Sequence, residues 1–494
     1  MSDTLKNIES FFKENGYRVI KQEDHLLKKE ASFYNNFFKR DEVDLNPFAK
    51  PSLKSKKEKI KSNPASVKGS PIDYDVATII KSLNWNMDKI KDRVVNREDI
   101  INQAIFSILT GEHMLILSRT GMAKSYLANY IFSIFSGARV FASQASKDQT
   151  PDNYFGPYNI EEFKRGQIKH NIKGSIIEAN FVFLDEFFDA SDVVLRSLLS
   201  VLNERKFVNG SEQIDVSIHT AIATANYMRM NEVTEAVLDR FTYKSIIPEN
   251  YNLYNQLMID HTYEQTAGIP QDNKGGVYFE QILFLTDIIK NKNKEIKIVT
   301  PDLIYFIKNI LINKFVGEMR KNDSNFFISP RKQAKISDYL RASALSHNRF
   351  EVTLEDLQEM YLCLCTLNSF ISVKSKDKSE KDIFNDLYQQ TMIHLNASGA
   401  IPQIEFLLKI RNIFDELRAN PEKKESILAK KGLGYFFKDL ILKIFPHKQK
   451  STKEDQEELT IDSLKKHLSE LQPVVEEVRN LKDGLIQEYH QDFY

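Results

Sequence analysis

Lys124 and Ser125 stand side by side where an apolar run, "MLILS" (114–118), passes through "RTGMA" into "KSYLANYIFSIF". An ammonium beside a hydroxyl at a helix start can grip a polyphosphate and a divalent cation together. The lysine neutralises phosphate oxygens, the hydroxyl reaches the metal, and the helix end adds N–H donors and partial positive charge. The order of parts is that of G-x-x-x-x-G-K-[ST]. Both glycine positions differ, holding Ser118 and Ala123, while Gly121 keeps the freedom to take positive φ. The methyl of Ala123 is harmless if that residue is already helical. A β-carbon at Ser118, on the strand exit, is expected to crowd the turn more seriously. Ser118, Arg119, Thr120, Gly121, Met122, Ala123, Lys124, Ser125 and Tyr126 make up the candidate phosphate cradle.

A bound triphosphate also needs carboxylates opposite the lysine. "ANFVFLDEFFDAS" is an apolar strand ending in Asp185-Glu186. On a parallel sheet these carboxylates emerge at the carboxyl edge, where ligands bind. There Asp185 would hold Mg²⁺ through water, with Ser125 as the other metal-side oxygen, and Glu186 would polarise an attacking water. A third run ends in Asn226, a neutral group suited to orienting that water. The plain alternatives are an acidic pair capping a strand and an asparagine opening a turn. Convergence of three strand ends with compatible chemistry weighs against them.

The elements that must position these groups are "HMLILS" (113–118), "NFVFLDE" (180–186) and "HTAIATAN" (219–226). Each is apolar on both faces, as a central parallel strand is. From 79 to 250 such runs alternate with helical segments, so the expected fold is α/β, a parallel sheet with helices on both faces. "RKFVNGSEQIDVSI" predicts a hairpin turning at Asn209-Gly210. Residues 251–372 read as mainly helical, with a start signal at Thr300-Pro301. After the lysine-rich "SVKSKDKSEKD" (372–382), residues 373–494 form a mainly helical extension. Its tail spaces Leu464, Leu468 and Leu471, then Val475, Val478 and Leu485 after Pro473, as two amphipathic helices would, on a surface of this chain or another. Residues 1–78 are an N-terminal extension. Its stretch 50–71 carries seven lysines against one glutamate and reads as a solvated tether, because no aromatic or arginine is interleaved for nucleic-acid contact.

The chain has 494 residues, enough for about two to four domains, with Lys+Arg and Asp+Glu both at 68. That balance does not suggest a nucleic-acid binder, although the tail from 451 is acidic, with eleven acidic against five basic residues. The two cysteines, Cys363 and Cys365, sit in the apolar "YLCLCTL" and read as core residues. The N-terminus lacks a basic-then-apolar signal pattern, and no apolar run approaches the ~20 residues of a membrane span, so a cytoplasmic protein with no membrane insertion is expected.

Residues 143–241 resemble the MoxR family of AAA+ ATPases, and within it the RavA branch most. The likeness rests on "SKDQTPDNYFGPYNIEEFKRGQI", "FVFLDEFFDASDVVLRSLLSVLNERKFVNG", "ATANYMRMNEVTEAVLDRF" and, further on, "ISPRKQAKISDYLRASAL". With the loop at 118–125 it extends over about residues 90 to 370. That branch tends to carry "AKS", as here at Ala123, and usually has glycine where this chain has Ser118. The resemblance implies a nucleotide-binding αβα core at 79–250 and a helical lid at 251–372. It also implies ATP and Mg²⁺ as ligands, Lys124 and Ser125 as Walker A, Asp185 and Glu186 as Walker B, and Asn226 as sensor 1. Arg240 in "LDRF" would be the finger reaching a neighbour's γ-phosphate, and Arg331 in "SPR" would be sensor 2. Glu204 and Arg205 are given only an interface role. The segment 150–176 and the hairpin at Asn209-Gly210 correspond to inserts that face the pore of related rings. The family further implies a self-assembled ring, a hexamer, acting chaperone-like on a protein client, with a separate von Willebrand A-domain partner.

Two other readings stay beside the hydrolysing ring. One is a weakly hydrolysing nucleotide-binding scaffold regulated by a partner, with Ser118 as the reason. The other is a nucleic-acid motor or transcription activator, disfavoured by neutral charge and by the absence of a GAFTGA loop. No H-E-x-x-H occurs and the histidines lack ligand spacing, which argues against a metalloprotease. No base-reading motif separates ATP from GTP.

Overall fold

The computed structural model describes residues 74–119, 121–227, 238–247, 252–266, 276–321, 324, 326–364, 379–420, 422, 440, 444 and 460–493. These fall in one unit, Ser70–Tyr494. The basic stretch 50–71, Thr120, Cys365 and the lysine-rich break at 372–378 lie outside the described residues.

The described residues hold nine strands: β1 Met114–Leu117, β2 Phe135–Ser136, β3 Val140–Gln144, β4 Phe181–Asp185, β5 Lys206–Asn209, β6 Glu212–Asp215, β7 Thr220–Ala225, β8 Tyr243–Ile246 and β9 Val277–Tyr278. Five form a wholly parallel sheet in the order β3–β4–β7–β1–β8. Along the central strands the side chains divide strictly by parity. Met114, Ile116, Phe181, Phe183 and Ile222 enter one core, whereas Leu115, Val182, Leu184, Ala221, Ala223 and Ala225 enter the other. This two-sided burial is why these strands carry no alternation of polar residues. The edge strand β3, by contrast, has three exposed positions out of five. The hairpin forms as its Asn-Gly predicts: β5 and β6 pair antiparallel and Gly210 takes φ +67°.

The longer helices are α1 Val76–Lys91, α2 Glu98–Thr110, α3 Lys124–Phe132, α4 Asp192–Glu204, α5 Leu253–Thr266, α6 Phe279–Ile289, α7 Asp302–Met319, α8 Pro330–Ser346, α9 Glu380–Ala397, α10 Ala400–Ala419, α11 Ile461–Glu470 and α12 Glu476–Phe493. Their ends follow local chemistry. Ser191 accepts the Val194 N–H to open α4, Ser329 accepts the Lys332 N–H ahead of Pro330, and Gly111 closes α2 in the left-handed region. α2 and α3 cover the first face of the sheet, and α4 covers the second through Val194, Leu195, Leu198, Leu199 and Leu202.

The tail helices pack on their own chain. Leu464, Leu468, Leu471, Val478, Leu485 and Tyr489 join the first core, together with α7, α9 and α10. Tyr489 lies under the Arg418 guanidinium, 4.4 Å from the ring centre, and against Phe414 at 5.2 Å. Lys314 on α7 meets Glu477 at 3.4 Å. Each such large apolar side chain buried contributes roughly 1.5–3 kcal/mol, which is what draws this acidic tail onto the fold.

Candidate nucleotide-binding site

The turn between β1 and α3 reverses one expectation. The N–H of Ser118 donates to the carbonyl of Ala225 at 3.1 Å, adding a rung to the β1–β7 ladder, and Ser118 is buried at 6% exposure without positive φ. Its β-carbon is therefore accommodated. The strain sits instead at Ala123, which is left-handed at φ +57°, ψ +28°, while its carbonyl accepts the first helical bond from Leu127. Alanine there costs about 1 kcal/mol more than glycine would. Gly121 takes φ +84° with open space where a β-carbon would project.

Lys124 is 6% exposed, and among the described residues its ammonium donates to neutral oxygens, the Ser118 carbonyl at 3.3 Å and Asn226 Oδ1. Among the described ion pairs it has no carboxylate partner. A buried cation so placed is stabilised by an incoming anion. Next to it, Ser125 Oγ donates to Asp185 Oδ2 at 2.7 Å. Asp185 Oδ1 accepts from Thr224 Oγ1 and from the Glu186 N–H at 3.0 Å. Glu186 is left-handed at φ +52°, and its carboxylate accepts from Asn226 Nδ2. Asn226 thus bridges cation and base with one amide, in the only orientation in which lysine donates and carboxylate accepts. A hydroxyl and a carboxylate in contact, facing a buried ammonium, are the hard-oxygen set that suits Mg²⁺ on a phosphate. The donor set fits both ligands.

Two family models match the chain. Residues 81–266 match the MoxR domain of the MoxR-vWA-beta-propeller ternary systems, and residues 300–369 match an AAA lid domain. Over these stretches the chain is similar to a MoxR domain followed by an AAA lid, and its fold is that of an AAA+ module. An uncharacterised protein of Methanocaldococcus jannaschii is 25% identical over 57% of this chain and 70% of its own length. A second from that organism is 31% identical over 33% of this chain and 44% of its own. A structural protein of Acidianus two-tailed virus is 25% identical over 36% of this chain and 30% of its own. The crystal structure of a Cytophaga hutchinsonii protein provisionally described as an ATPase shares the fold. Its TM-score is 0.50 at 18% identity, over 64% of this chain and 95% of that one.

The AAA+ module gathers Lys124, Ser125, Asp185, Glu186 and Asn226 at the carboxyl edge, but it does not bring Arg331 to them. Arg331 opens α8 and pairs with Asp239 at 3.4 Å, both side chains about half exposed. Asp239 and Arg240 are helical residues just ahead of β8, whose first residue, Tyr243, is in register with Met114, the first of β1. Both arginines therefore belong to the amino edge, separated from Lys124 by the length of β1, about 13 Å. α8 is tied down there by Lys335, which meets Glu112 at 2.6 Å and Thr242 at 3.0 Å. Within the cradle itself Arg119 is exposed, and Tyr126 is half-buried beside Tyr130 with ring centres 6.0 Å apart. Met122 packs against the first core.

Arg205 is bonded within its own chain: its guanidinium donates to Ile218 O, to Gly111 O at 3.0 Å and to His219 O at 3.1 Å, and its backbone closes α4 in the left-handed region. Burial lowers its pKa to about 10, which leaves it charged at neutral pH. Glu204 is exposed. Thr224 is the residue that the sequence reading missed. Its signal was a hydroxyl inside an apolar strand, two residues before Asn226 and on the same strand parity.

The two inserts of the module lean on each other. His170 and Asn209 exchange bonds, N–H to Oδ1 at 2.6 Å and Nδ2 to the carbonyl at 3.2 Å, and Lys169 meets Glu212 at 2.7 Å. A β-carbon at Gly156 would lie 2.0 Å from the Asn171 carbonyl, so the strands of the first insert approach too closely for any other residue. Ile160, Phe163, Ile168 and Val208 are left more than half exposed.

Proposed function

We propose that the chain is an ATP-hydrolysing, Mg²⁺-dependent MoxR-type protein that works as a self-assembled ring on a protein client. The observation that carries this reading is the buried Lys124 ammonium resting on neutral oxygens, with Ser125–Asp185 on one side and Asn226–Glu186 on the other. Bound Mg²⁺ would supply charge neutralisation on the phosphate oxygens. Ser125 and Asp185 are the residues that would hold it. Lys124 exchanges Asn226 Oδ1 for phosphate oxygens, which frees the Asn226 amide to orient a water. Glu186, released from Asn226, accepts that water's proton.

Arg240 and Arg331 serve a neighbour's site in this scheme. Their common position on the amino edge, away from their own Lys124, supports it; the half-exposed Asp239 is the anion that Arg331 would exchange for a phosphate. The division into 1–78, 79–250, 251–372 and 373–494, six subunits in the ring, the RavA likeness, a chaperone-like action, a von Willebrand A-domain partner and a cytoplasmic site are proposals that rest on the family. Among the described residues no helix is long and apolar enough to cross a membrane. The exposed Ile160, Phe163, Ile168 and Val208 are where we place client contact.

A weakly hydrolysing scaffold is the second reading. It is favoured by the Glu186 carboxylate being already engaged by Asn226 and by the strained Ala123. Binding of a fluorescent ATP analogue to Lys124→Ala and Glu186→Gln tests the site. The first should lose affinity and the second keep it. Retained affinity in Lys124→Ala shows that 118–125 is not the phosphate loop.

A further inference from the structure

We propose that Thr224 is a positioning residue for the metal site, selecting which oxygen of Asp185 faces the ion. The inference rests on the nucleotide–metal reading above and deepens it. β4 and β7 pair in parallel with Leu184 beside Ala223, so one residue further along Asp185 stands level with Thr224. Thr224 is fully buried, and its hydroxyl donates to Asp185 Oδ1. The Glu186 N–H donates to that same oxygen at 3.0 Å. A carboxylate oxygen offers about two lone-pair directions, so Oδ1 is saturated from within the chain. Among the described residues Oδ2 carries a single donor, Ser125 Oγ at 2.7 Å, from the residue that would turn to the metal. Oδ2 is thereby the oxygen left for the ion and its waters, and Thr224 is what prevents the carboxylate from rotating to offer Oδ1.

On its own face of β7 Thr224 follows Ile222, a core residue, and Thr220, whose buried hydroxyl is spent on the Ser107 carbonyl at 3.2 Å, so Thr224 is the hydroxyl of β7 that is turned to a carboxylate. The plain alternative is a buried threonine that merely satisfies its own hydroxyl and that valine could replace. The two roles differ in what they do to metal affinity. Outer-shell partners of metal ligands typically change affinity 10- to 100-fold when removed. Because Asp185 acts on the ion through water, the lower end applies.

The experiment is a Mg²⁺ titration of the binding of a fluorescent non-hydrolysable ATP analogue to the full chain. It compares wild type, Thr224→Val and Thr224→Ser, with thermal melting of each without nucleotide. Thr224→Val keeps the shape and loses the donor, and should need about tenfold more Mg²⁺ for half-maximal binding. Thr224→Ser keeps the donor and should titrate within about twofold of wild type. If Thr224→Val melts before the measurement, Thr224→Ala, which adds no new methyl contact, replaces it with the same expected shift. A valine or alanine variant that titrates like wild type overturns the positioning role alone. A wild type whose affinity ignores Mg²⁺ overturns the nucleotide–metal reading and this inference with it.

Discussion

Acid should loosen this fold through two histidines that are not in the site. His219 is almost fully buried where α2 meets β7, with Nε2 on the Ile108 carbonyl at 2.7 Å, and burial lowers its pKa to about 4. His113, before β1, donates from Nε2 to Leu202 O at 2.9 Å and accepts the Ala221 N–H on Nδ1 at 3.0 Å. Its pKa is held well below the usual histidine value, mainly by burial and secondarily by the Arg205 charge. In the unfolded chain both protonate near 6.5, so between pH 6.5 and about 4 the unfolded state binds more protons and stability falls with pH. His219 weakens the fold by about 1.4 kcal/mol per pH unit in that window and reaches roughly 3 kcal/mol at its lower end, and His113 acts in the same direction. By pH 5 His219 alone should remove about 2 kcal/mol relative to pH 7.5, with His113 adding to the loss. Urea denaturation followed by circular dichroism at both pH values checks this, with His219→Gln alongside. The variant should lose about 2 kcal/mol less than the wild type between the two pH values. Equal pH dependence in both proteins would refute the argument that buried neutral imidazole sets the acid limit.

Three further outcomes follow from particular contacts. Ala123→Gly should leave stability unchanged or raise it by up to about 1 kcal/mol, while Ser118→Gly should lower it by about 0.5–1 kcal/mol. The reverse order in denaturation would mean that the strain lies at Ser118 after all. Arg205→Met leaves three buried carbonyls without their donor and should cost about 3 kcal/mol or more in the same assay, a loss under 1 kcal/mol contradicting the assigned bonds. Arg240→Ala mixed with Lys124→Ala should recover part of the ATPase activity that neither has alone, because each supplies what the other's site lacks. No recovery at any ratio counts against action between subunits.

The parts of this protein that were legible in its sequence are those where one constraint dominates. β1, β4 and β7 announce themselves because burial on both faces leaves only apolar residues, and the groups at their carboxyl ends are then placed by topology alone. The edge strands were not seen. "VFASQ" alternates weakly with exposure, and "YKSI" carries Lys244 in a buried position, which no pattern rule expects. The loop strain was assigned to the wrong residue because a missing glycine says nothing about φ; only the added rung at Ser118 and the left-handed Ala123 decide it. Arg205 was given only an interface role, and its bonds within the chain become visible only once the carbonyls of Gly111, Ile218 and His219 converge on it. The tail leucines were read correctly as amphipathic, but their partner is a tertiary fact that spacing cannot hold.

Steady-state ATP hydrolysis against protein concentration, for the wild type and Glu186→Gln side by side, tests the central claim most directly. The account predicts turnover that rises cooperatively with concentration, as sites completed by a neighbour's arginines require, and that vanishes in Glu186→Gln while ATP binding persists. Tight ATP binding with no turnover at any concentration, or turnover untouched by the substitution, would contradict it.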